Sequence, residues 1–577
     1  PSQVETQLAA LRNKHRQRGQ DSGEKDDTRH LLQPLSELHF NSDYDTFGQR
    51  QAHKPTLYGL LAVASFLLLL GCINFINLTT AQSAHRAKEI GIRKTMGSGK
   101  RELVFQFLSE TLVLALLATI LSVMLTPWLL GIFSDFIPPG IDFSSLNQPH
   151  VLIFLAATIV VVTILAGLYP AFILTRFKPV TVLKNQAHSE TGQTRKLWLR
   201  KVLTVAQFVI AQFLVIATLV VSKQVHYSLN KDLGYKKDAI VHFDAHRNIF
   251  SKTIDNRRFA LLQKLKSIPE IEKISLGGST PASGNTSTTT MKFSSGDKIV
   301  ETMVEVKYAD TSYFDLYDMK LLAGKNLQPS DTVREYVINE TYAKILGFDN
   351  PQDAIGQHIE RGFLVPITGV IADFHTKSTH QPIKPLAYSS ASSSQYSFHL
   401  ALQPPGDDGS IWKQALAKVE KAYKEVYPDS DFSYKFYDES IAAFYKSEQN
   451  ISRLLRWSAG LCIFISCLGL LGLVIYITNT RTKEIGVRKV LGASVTQIVS
   501  LLSKDFIILV LVAFVITLPL AWWAMNQWLQ DFVYRTSLSW WIFAVTGAGM
   551  VLLALLILSF RTVRSAMENP VHTLRDE

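Results

Sequence analysis

Seven long apolar runs constrain this chain more than any other feature of its 577 residues. A helix of about 20 residues, rising ~1.5 Å per residue, crosses the hydrocarbon core of a bilayer, and each run is at least that long. A water-soluble fold would have to bury all the runs in one core, which a chain of this length does not form. The sequence therefore predicts an α-helical polytopic membrane protein. The predicted spans are residues 56–79, 105–133, 151–174, 202–221, 454–477, 506–529 and 540–560.

The polar middle of the chain predicts a large extracytoplasmic α+β domain, because strand-like and helix-like stretches are mixed along it. The predicted strands are 239–243, 300–308, 336–338, 364–371, 398–402 and 432–437, and the predicted helices are 311–317, 340–346 and 411–427. The Ser- and Thr-rich stretch 279–290 predicts a flexible loop. Near the start of the chain, 3–16 predicts a helix and 31–40 a strand.

We divide the chain into five segments. Residues 1–50 are interpreted as the tail of a first extracytoplasmic domain whose body precedes this sequence, so eight spans are expected in the full protein. The others are a first membrane domain (51–201), a fourth span (202–222), the extracytoplasmic core domain (223–450) and a second membrane domain (451–577).

The distribution of Lys and Arg predicts the orientation, because cytoplasmic loops are enriched in both. The motif segments described below, the 176–201 loop and the C-terminal tail are basic and should face the cytoplasm, while 1–50, 134–149, 223–450 and 531–539 should face outward. This topology accounts for much of the net charge of +11, so we expect no nucleic-acid partner. Since the three cysteines all lie in apolar runs, the polar domain has neither a disulfide framework nor a thiolate metal site.

One short motif occurs twice, 395 positions apart, each time between two spans. Residues 86–97 read R-A-K-E-I-G-I-R-K-T-M-G and residues 481–492 read R-T-K-E-I-G-V-R-K-V-L-G. Each copy predicts a short interfacial helix: Glu89 lies four residues before Arg93, and Gly97 and Gly492 stand where helices end. A topology anchor held near anionic membrane lipid would need only positive charge. The repeated Glu and Gly favour a shared docking surface.

The motif, followed by a span with an acid at Glu110 or Asp505, resembles the MacB/FtsX-type ABC transporter permeases. The middle domain is similar to the MacB-type periplasmic core at Y-F-D-L-Y-D-M-K-L-L-A-G (313–324), V-I-N-E-T-Y-A-K-I-L (337–346) and I-T-G-V-I-A-D-F-H (367–375). The resemblance implies a bacterial inner-membrane permease subunit with its coupling helices on an ABC ATPase. The implied contact residues are Arg86, Lys88, Glu89, Gly91, Arg93, Lys94 and Gly97 in one copy, and Arg481, Lys483, Glu484, Gly486, Arg488, Lys489 and Gly492 in the other.

A nucleotide site is not predicted on this chain. Residues 97–100 read G-S-G-K, but the preceding glycine of a phosphate-binding loop is missing and Arg101 replaces its Ser or Thr. ATP and Mg are therefore expected on a separate partner chain, and no catalytic constellation is predicted here. We also predict no metal site at Asp373, His375 and His380, whose spacing does not align two rings on one strand face.

Three functions follow as hypotheses. The first is the membrane subunit of an ATP-driven exporter or extruder, which would pass ATPase motion to its outer domains, with an adaptor and an outer-membrane channel as further partners. A drug, peptide, lipoprotein or siderophore could be its substrate. The second is an FtsX-like regulatory protein that activates a cell-envelope hydrolase or a sensor without moving a substrate. The third, a membrane-tethered enzyme, has no supporting residues.

Overall fold

The computed structural model describes residues 2–16, 31–40, 52, 54–137, 140–175, 193–246, 255–284, 286–296, 298–404, 409–480, 487–488 and 491–567. Its helices are α1 (Ser2–Arg16), α2 (Lys54–Ala81), α3 (Ser83–Thr95), α4 (Lys100–Ile132), α5 (Pro149–Leu174), α6 (Gln193–Asn230), α7 (Arg257–Lys266), α8 (Tyr313–Leu316), α9 (Glu340–Leu346), α10 (Ser410–Val426), α11 (Tyr437–Ala443), α12 (Lys446–Thr480), α13 (Val495–Leu529) and α14 (Trp540–Met567). Its strands are β1 (Ile240–Asp244), β2 (Ile271–Gly277), β3 (Ser287–Ser295), β4 (Lys298–Tyr308), β5 (Leu321–Gly324), β6 (Tyr336–Asn339), β7 (His358–Glu360), β8 (Leu364–Ile371), β9 (Leu386–Ser389), β10 (Ser397–Leu402) and β11 (Lys435–Phe436).

Seven of the described helices are long and apolar enough to span a membrane, as predicted: α2, α4, α5, α6, α12, α13 and α14. The largest difference from the predicted spans concerns α6, whose 38 residues extend well beyond 202–221 at both ends. At ~1.5 Å per residue this helix is about 57 Å long, more than a bilayer core needs. Its polar ends lowered the apolar signal without breaking the helix.

The chain divides into two compact units. One unit contains the membrane helices, from 32–222, 450–527 and 537–577. The other contains residues 1–31, the mixed domain 223–449 and the short segment 528–536.

The membrane unit brings the two motif-bearing halves together at equivalent positions of their first helices. A methyl group placed on Gly469 of α12 would lie 2.6 Å from the side-chain oxygen of Asn74 in α2, and one on Gly472 would lie 3.0 Å from Leu78. Asn74 and Gly469 are themselves separated by the 395-residue repeat. Small residues allow the helix backbones to approach closely here. A hydrogen bond inside the bundle joins α6 to α13: the side-chain amide of Gln212 donates to the Val510 carbonyl at 3.2 Å.

The mixed domain contains two sheets. One has the order β11-β1-β10-β2 and is antiparallel, with α7 and α10 packed on it. The other has the order β5-β8-β6-β9-β4-β3-β7, and a further pairing of β7 with β8 closes six of its strands into a ring. The pairs β4–β9 and β6–β8 are parallel, and the rest are antiparallel. This is an α+β arrangement, as predicted.

A tyrosine-rich core lies between the two sheets. Tyr313 and Tyr317 of α8 are fully buried with Tyr388 of β9 and Tyr437 of α11. The Tyr317 hydroxyl and the ring of His399 are 2.8 Å apart. Burial raises the pKa of each of these tyrosines well above its ordinary value and lowers the pKa of His399 to about 3, so the core is neutral at physiological pH.

Several predicted elements are confirmed within a few residues, and α9 and β8 match residue for residue. Three predictions were wrong. Residues 31–40 contain only a 3-10 turn at Leu35–Glu37, since Pro34 lacks a ladder donor. The strand predicted at 432–437 shrinks to Lys435–Phe436, because β1 pairs with only two of its residues. The loop predicted at 279–290 ends early: its β-branched threonines 288–290 join β3 and pair with β4.

Candidate functional site

The first motif copy forms helix α3, which is fixed to the membrane helices through one apolar side chain. Ile90 is 2% exposed and packs with Leu103 and Phe107 of α4 and with Ala171 of α5. Burial of an isoleucine contributes ~1.5–3 kcal/mol. The helix is therefore attached to the ends of α4 and α5.

Three polar contacts orient α3 on the same two helices. Arg86 pairs with Glu110 at 2.9 Å, and Arg93 donates to the side-chain oxygen of Gln106 at 2.6 Å. Lys94 donates to the carbonyl of Thr175, the residue that ends α5, at 2.6 Å. A cation is favourable at a helix C-terminus. Because Arg86 and Glu110 are more than 40% exposed, that ion pair adds little stability and mainly fixes geometry.

Within α3, the predicted pairing of Glu89 with Arg93 is present at 2.7 Å. Burial, and secondarily the nearby charge of Lys100, lowers the pKa of the Lys94 ammonium. Gly91 is buried within the helix. Arg86, Arg93 and Lys94 thus each have a carboxylate or carbonyl partner, while the side chain of Lys88 lies outside the described part of the structure.

A Schellman turn ends α3. The Gly97 amide donates to the Lys94 carbonyl at 3.1 Å and the Ser98 amide to the Arg93 carbonyl at 3.0 Å. Gly97 has a φ of +100°, a conformation that glycine adopts without steric cost. The prediction that Gly97 ends this helix is confirmed.

The second copy makes the same turn at the equivalent residues. The Leu491 amide donates to the Val487 carbonyl at 3.0 Å, the Ala493 amide to the Arg488 carbonyl at 2.9 Å, and Gly492 has a φ of +91°. The Ala493 bond repeats that of Ser98 to Arg93, and the Leu491 bond repeats a bond of 3.0 Å from the Met96 amide to the Ile92 carbonyl, each 395 residues later. Arg481, Lys483, Glu484, Gly486 and Lys489 lie outside the described residues.

The next membrane helix also starts identically in both halves. The Gly99 amide donates to the Glu102 carboxylate at 3.0 Å before α4, and the Ser494 amide donates to the side-chain oxygen of Gln497 at 3.0 Å before α13. Lys100 and Val495, which open these helices, are again 395 residues apart. In the first half the Glu102 carboxylate accepts the Gly99 amide, and residues 97–99 form the turn between α3 and α4.

Each turn presents an exposed apolar residue at its tip. Met96 and Leu491 directly precede the glycine of each turn, and both side chains are 81% exposed. Ile92 and Val487, one turn earlier, are 44% and 49% exposed. Sequence reasoning selected the charged residues and glycines and missed these tips. The sequence shows only that an apolar residue precedes the glycine in both copies, and an apolar residue by itself predicts burial.

A second feature was missed entirely, because it involves residues distant in sequence. Residues 528–536, which join α13 to α14, pack with the mixed domain in one unit. The Tyr534 amide donates to the Thr379 carbonyl at 3.1 Å, and Gln224 exchanges bonds of 3.1 and 2.8 Å with the Tyr534 carbonyl and the Thr536 amide. The Lys231 ammonium lies 3.4 Å from the centre of the Tyr534 ring. We name residues 528–536 the outer loop.

Two histidines face the outer loop. The ring of His380 stacks on Phe532 at 4.0 Å, and its nitrogens lie 3.0 Å from the Asp531 carbonyl and 3.2 Å from a carboxylate oxygen of Glu448. His375 meets Tyr534 edge-on at 4.5 Å. Neither histidine belongs to a metal cluster within the described part of the chain.

The pKa values of these histidines shift in opposite directions. Burial, reinforced by the charge of Lys231, lowers the pKa of His375 to about 4. Burial also disfavours the charged form of His380, but the hydrogen bonds to Glu448 and to the Asp531 carbonyl outweigh it and raise the pKa of His380. Asp373 has a structural role: it accepts the Thr341 amide and hydroxyl at 2.8 and 2.7 Å, capping α9.

Comparison with known proteins explains the duplicated turns. The FtsX-like permease C-terminal family matches residues 61–179 and 458–570, one region around each turn, and the MacB-like periplasmic core domain family matches residues 202–422. The chain belongs to the MacB/FtsX-type permeases. It is a multi-pass membrane permease subunit with an extracytoplasmic α+β core domain.

Curated relatives match only part of the chain. The macrolide export ATP-binding/permease protein MacB of Pasteurella multocida is 29% identical over 163 residues, which cover 27% of this chain and 25% of that protein. MacB of Campylobacter jejuni is 31% identical over 150 residues, 26% of this chain and 22% of that protein. The match thus spans about a quarter of each relative. The extracellular domain of the Gram-positive transporter YknZ covers 34% of this chain and 97% of its own length at 10% identity, with a TM-score of 0.23 that supports no conclusion about the fold.

Proposed function

We propose that this permease is the membrane subunit of an ATP-driven exporter in the bacterial inner membrane, working with an ABC ATPase on a separate chain that binds ATP and Mg. The observation that carries the proposal is the duplicated turn. Two helix-ending turns present Met96 and Leu491 at their tips, each next to basic residues of its motif, and both turns have a glycine of positive φ and equivalent bonds from Ser98 to Arg93 and from Ala493 to Arg488. Paired equivalent contacts suit the two nucleotide-binding subunits of an ATPase dimer.

The contacts of α3 support a mechanical role. An ATPase that pushes on Met96 would move α3, and Ile90, Arg86 and Lys94 would transfer the displacement to α4 and α5. If α3 were attached only loosely, its displacement would not reach α4 and α5. The cytoplasmic position of both turns is part of the proposal.

The outer loop and two long helices are the proposed output. Helices α6 and α12 each continue past the apolar window into residues of the mixed domain, and the outer loop packs on that domain. Displacement of the spans would thus change the conformation of the core domain. No pore through the centre of that domain is required. The core domain would then release the substrate, which is a drug, peptide, lipoprotein or siderophore. The substrate would pass into an adaptor and an outer-membrane channel.

The test is copurification and stimulated hydrolysis. The full chain, expressed with ABC ATPases from its own genome, should retain one of them and raise its ATP turnover in proteoliposomes. The double variant Glu89→Ala with Glu484→Ala should lower that stimulation at least ten-fold. The matched control is Glu340→Ala, which removes one partner of an i,i+4 ion pair with Lys344 in the core domain. It should leave the stimulation of ATP turnover unchanged. The proposal fails if no ABC ATPase is retained, or if the double variant stimulates as the wild type does.

The regulatory alternative predicts the same ATPase coupling, so a second readout separates the two. Export requires ATP-dependent movement of a copurified small molecule or lipopeptide across the proteoliposome membrane. ATPase coupling with activation of a copurified hydrolase or sensor, and no such movement, would replace export with regulation.

A further inference from the structure

A cavity of about 580 Å³ lies against one face of α12, near the end that adjoins the core domain in sequence. Its lining is Arg453, Arg456, Trp457, Gly460 and Leu461. The spacing of three, four, seven and eight residues places them on one side of the helix. The cavity lies in the membrane unit and is separate from the motif turns.

The end of α4 lies beside this cavity. Phe133, which ends α4, meets the ring of Trp457 edge-on at 6.2 Å. Asp135, in the loop that follows, lies 3.6 Å from the guanidinium of Arg453. Because that loop and the core domain are an even number of spans apart, both lie on the same side of the bilayer.

The charge at the cavity is positive. Arg453 and Arg456 contribute two guanidinium groups, and Asp135 returns one negative charge through a long, exposed pair. Within the described residues, Arg456 makes only a 3.4 Å bond from its ε nitrogen to the Ser452 carbonyl, which leaves its terminal nitrogens available. Guanidinium groups bind phosphate oxygens with matching geometry.

Below the arginines the same face becomes apolar. Trp457, Leu461, Phe464 and Leu468 follow one another at four, three and four residues, and their exposed fractions are 54%, 51%, 60% and 46%. Such a stripe faces hydrocarbon. Gly460 lies on this face between Trp457 and Leu461, and a methyl group there would meet nothing within 4 Å.

We propose that this cavity binds an anionic phospholipid from the leaflet on the side of the core domain. Its phosphodiester lies between Arg453 and Arg456, and an acyl chain follows Trp457, Leu461 and Phe464. A zwitterionic lipid binds less well because its ammonium group adds a positive charge beside two arginines. The inference does not depend on the proposed export function.

The experiment is native mass spectrometry of the full chain in detergent, titrated with phosphatidylglycerol or with phosphatidylcholine of the same chain length. The wild type should retain one phosphatidylglycerol at least ten-fold more tightly than phosphatidylcholine. Arg453→Gln with Arg456→Gln should abolish that preference. Arg535→Gln, which changes an arginine of the outer loop, should preserve it.

A second pair of variants tests the cavity itself. Gly460→Leu fills open space on a helix and should block the lipid while the protein remains folded, whereas Gly71→Leu, at an equally open site on α2, should not. Equal retention of both lipids by the wild type, or unchanged binding in the double arginine variant or in Gly460→Leu, would overturn the proposal. Displacement of the lipid by an equal concentration of glycerol 3-phosphate would also overturn it, because the site would then recognise a free phosphate.

Discussion

At the residue scale, the shape of the first turn depends on Gly97 more than on any charged side chain. Its φ of +100° costs an L-residue ~1–2 kcal/mol, and the space around a Cβ there is empty, so conformation is the sole penalty. We expect Gly97→Ala to loosen the Schellman turn and speed hydrogen exchange of the Ser98 amide several-fold. Gly71→Ala, a helical glycine with equally open surroundings, is the control and should show no such change.

The asparagine variant separates conformation from side-chain volume. Asparagine tolerates the left-handed region better than alanine does. Gly97→Asn should therefore exchange more slowly than Gly97→Ala despite its larger side chain. If the two variants exchange at the same rate, the positive φ does not matter to the turn.

Ile90 provides the second residue-scale prediction. Truncation of a buried isoleucine to alanine costs ~2–5 kcal/mol. Since Ile90 is the apolar attachment of α3, Ile90→Ala should detach the helix and lower stimulated ATPase activity, while ATPase binding through Met96 persists. Ile345→Ala removes a half-exposed isoleucine of α9 in the core domain and should leave stimulation near the wild-type value. Equal losses in both variants would show that the attachment is not specific to Ile90.

At the element scale, the packing of the outer loop should weaken both when the pH falls below 6.5 and when it rises above that value. The pKa of His375 is lowered to about 4, so the unfolded form binds more protons between pH 4 and 6.5, and the packing weakens as pH falls through that range. The pKa of His380 is raised, so its contribution is complete below pH 6.5 and is lost as pH rises through the raised value. Protection of the loop should be greatest near pH 6.5.

Hydrogen exchange of residues 528–536 in the full chain, corrected for intrinsic rates, measures this dependence. His380→Gln should remove the loss above pH 6.5 and retain the acid loss. Wild-type protection that increases steadily from pH 6.5 to 8 would contradict the assignment to His380.

The elements that were predicted best from the sequence have residues at their ends that start or stop a helix. Helix α9 begins after Asn339, whose side chain accepts the Tyr342 amide, and ends at Gly347 with a φ of +101°. The membrane helices were found from their apolar residues alone, and their ends were missed where polar residues continue the helix, as in α6. The strand predicted at 432–437 failed because strand length depends on its partner.

The candidate site was predictable to a similar degree. Repetition identified the two turns, and the spacing of Glu89 and Arg93 predicted their pairing. The exposure of Met96 could not be read from its apolar character, which predicts burial. The packing of Tyr534 on Thr379 lay beyond prediction, since nothing local links residues 155 positions apart.

At the scale of the whole molecule, the permease sequence consists of two related halves separated along the chain by one core domain. Asn74 and Gly469 are equivalent residues of the two halves and lie close together. A larger side chain at position 469 should therefore destabilise the packing of the two helices. Gly469→Leu would drive a side chain into Asn74 and Gln207, and we expect it to lower the melting temperature of the detergent-solubilised protein. Gly460→Leu, on an open face of the same helix, should leave the melting temperature unchanged, and equal effects would contradict the close contact.

The most direct test of the account is cysteine cross-linking at the two tips. In a chain without its three native cysteines, Met96→Cys and Leu491→Cys would each be combined with cysteines on the copurified ATPase, in inverted membrane vesicles. We expect both tips to label from the cytoplasmic side and to cross-link to the ATPase, with yields that change on ATP addition. Labelling of Met96→Cys and Leu491→Cys from opposite sides of the membrane, or cross-linking of neither tip, would contradict it.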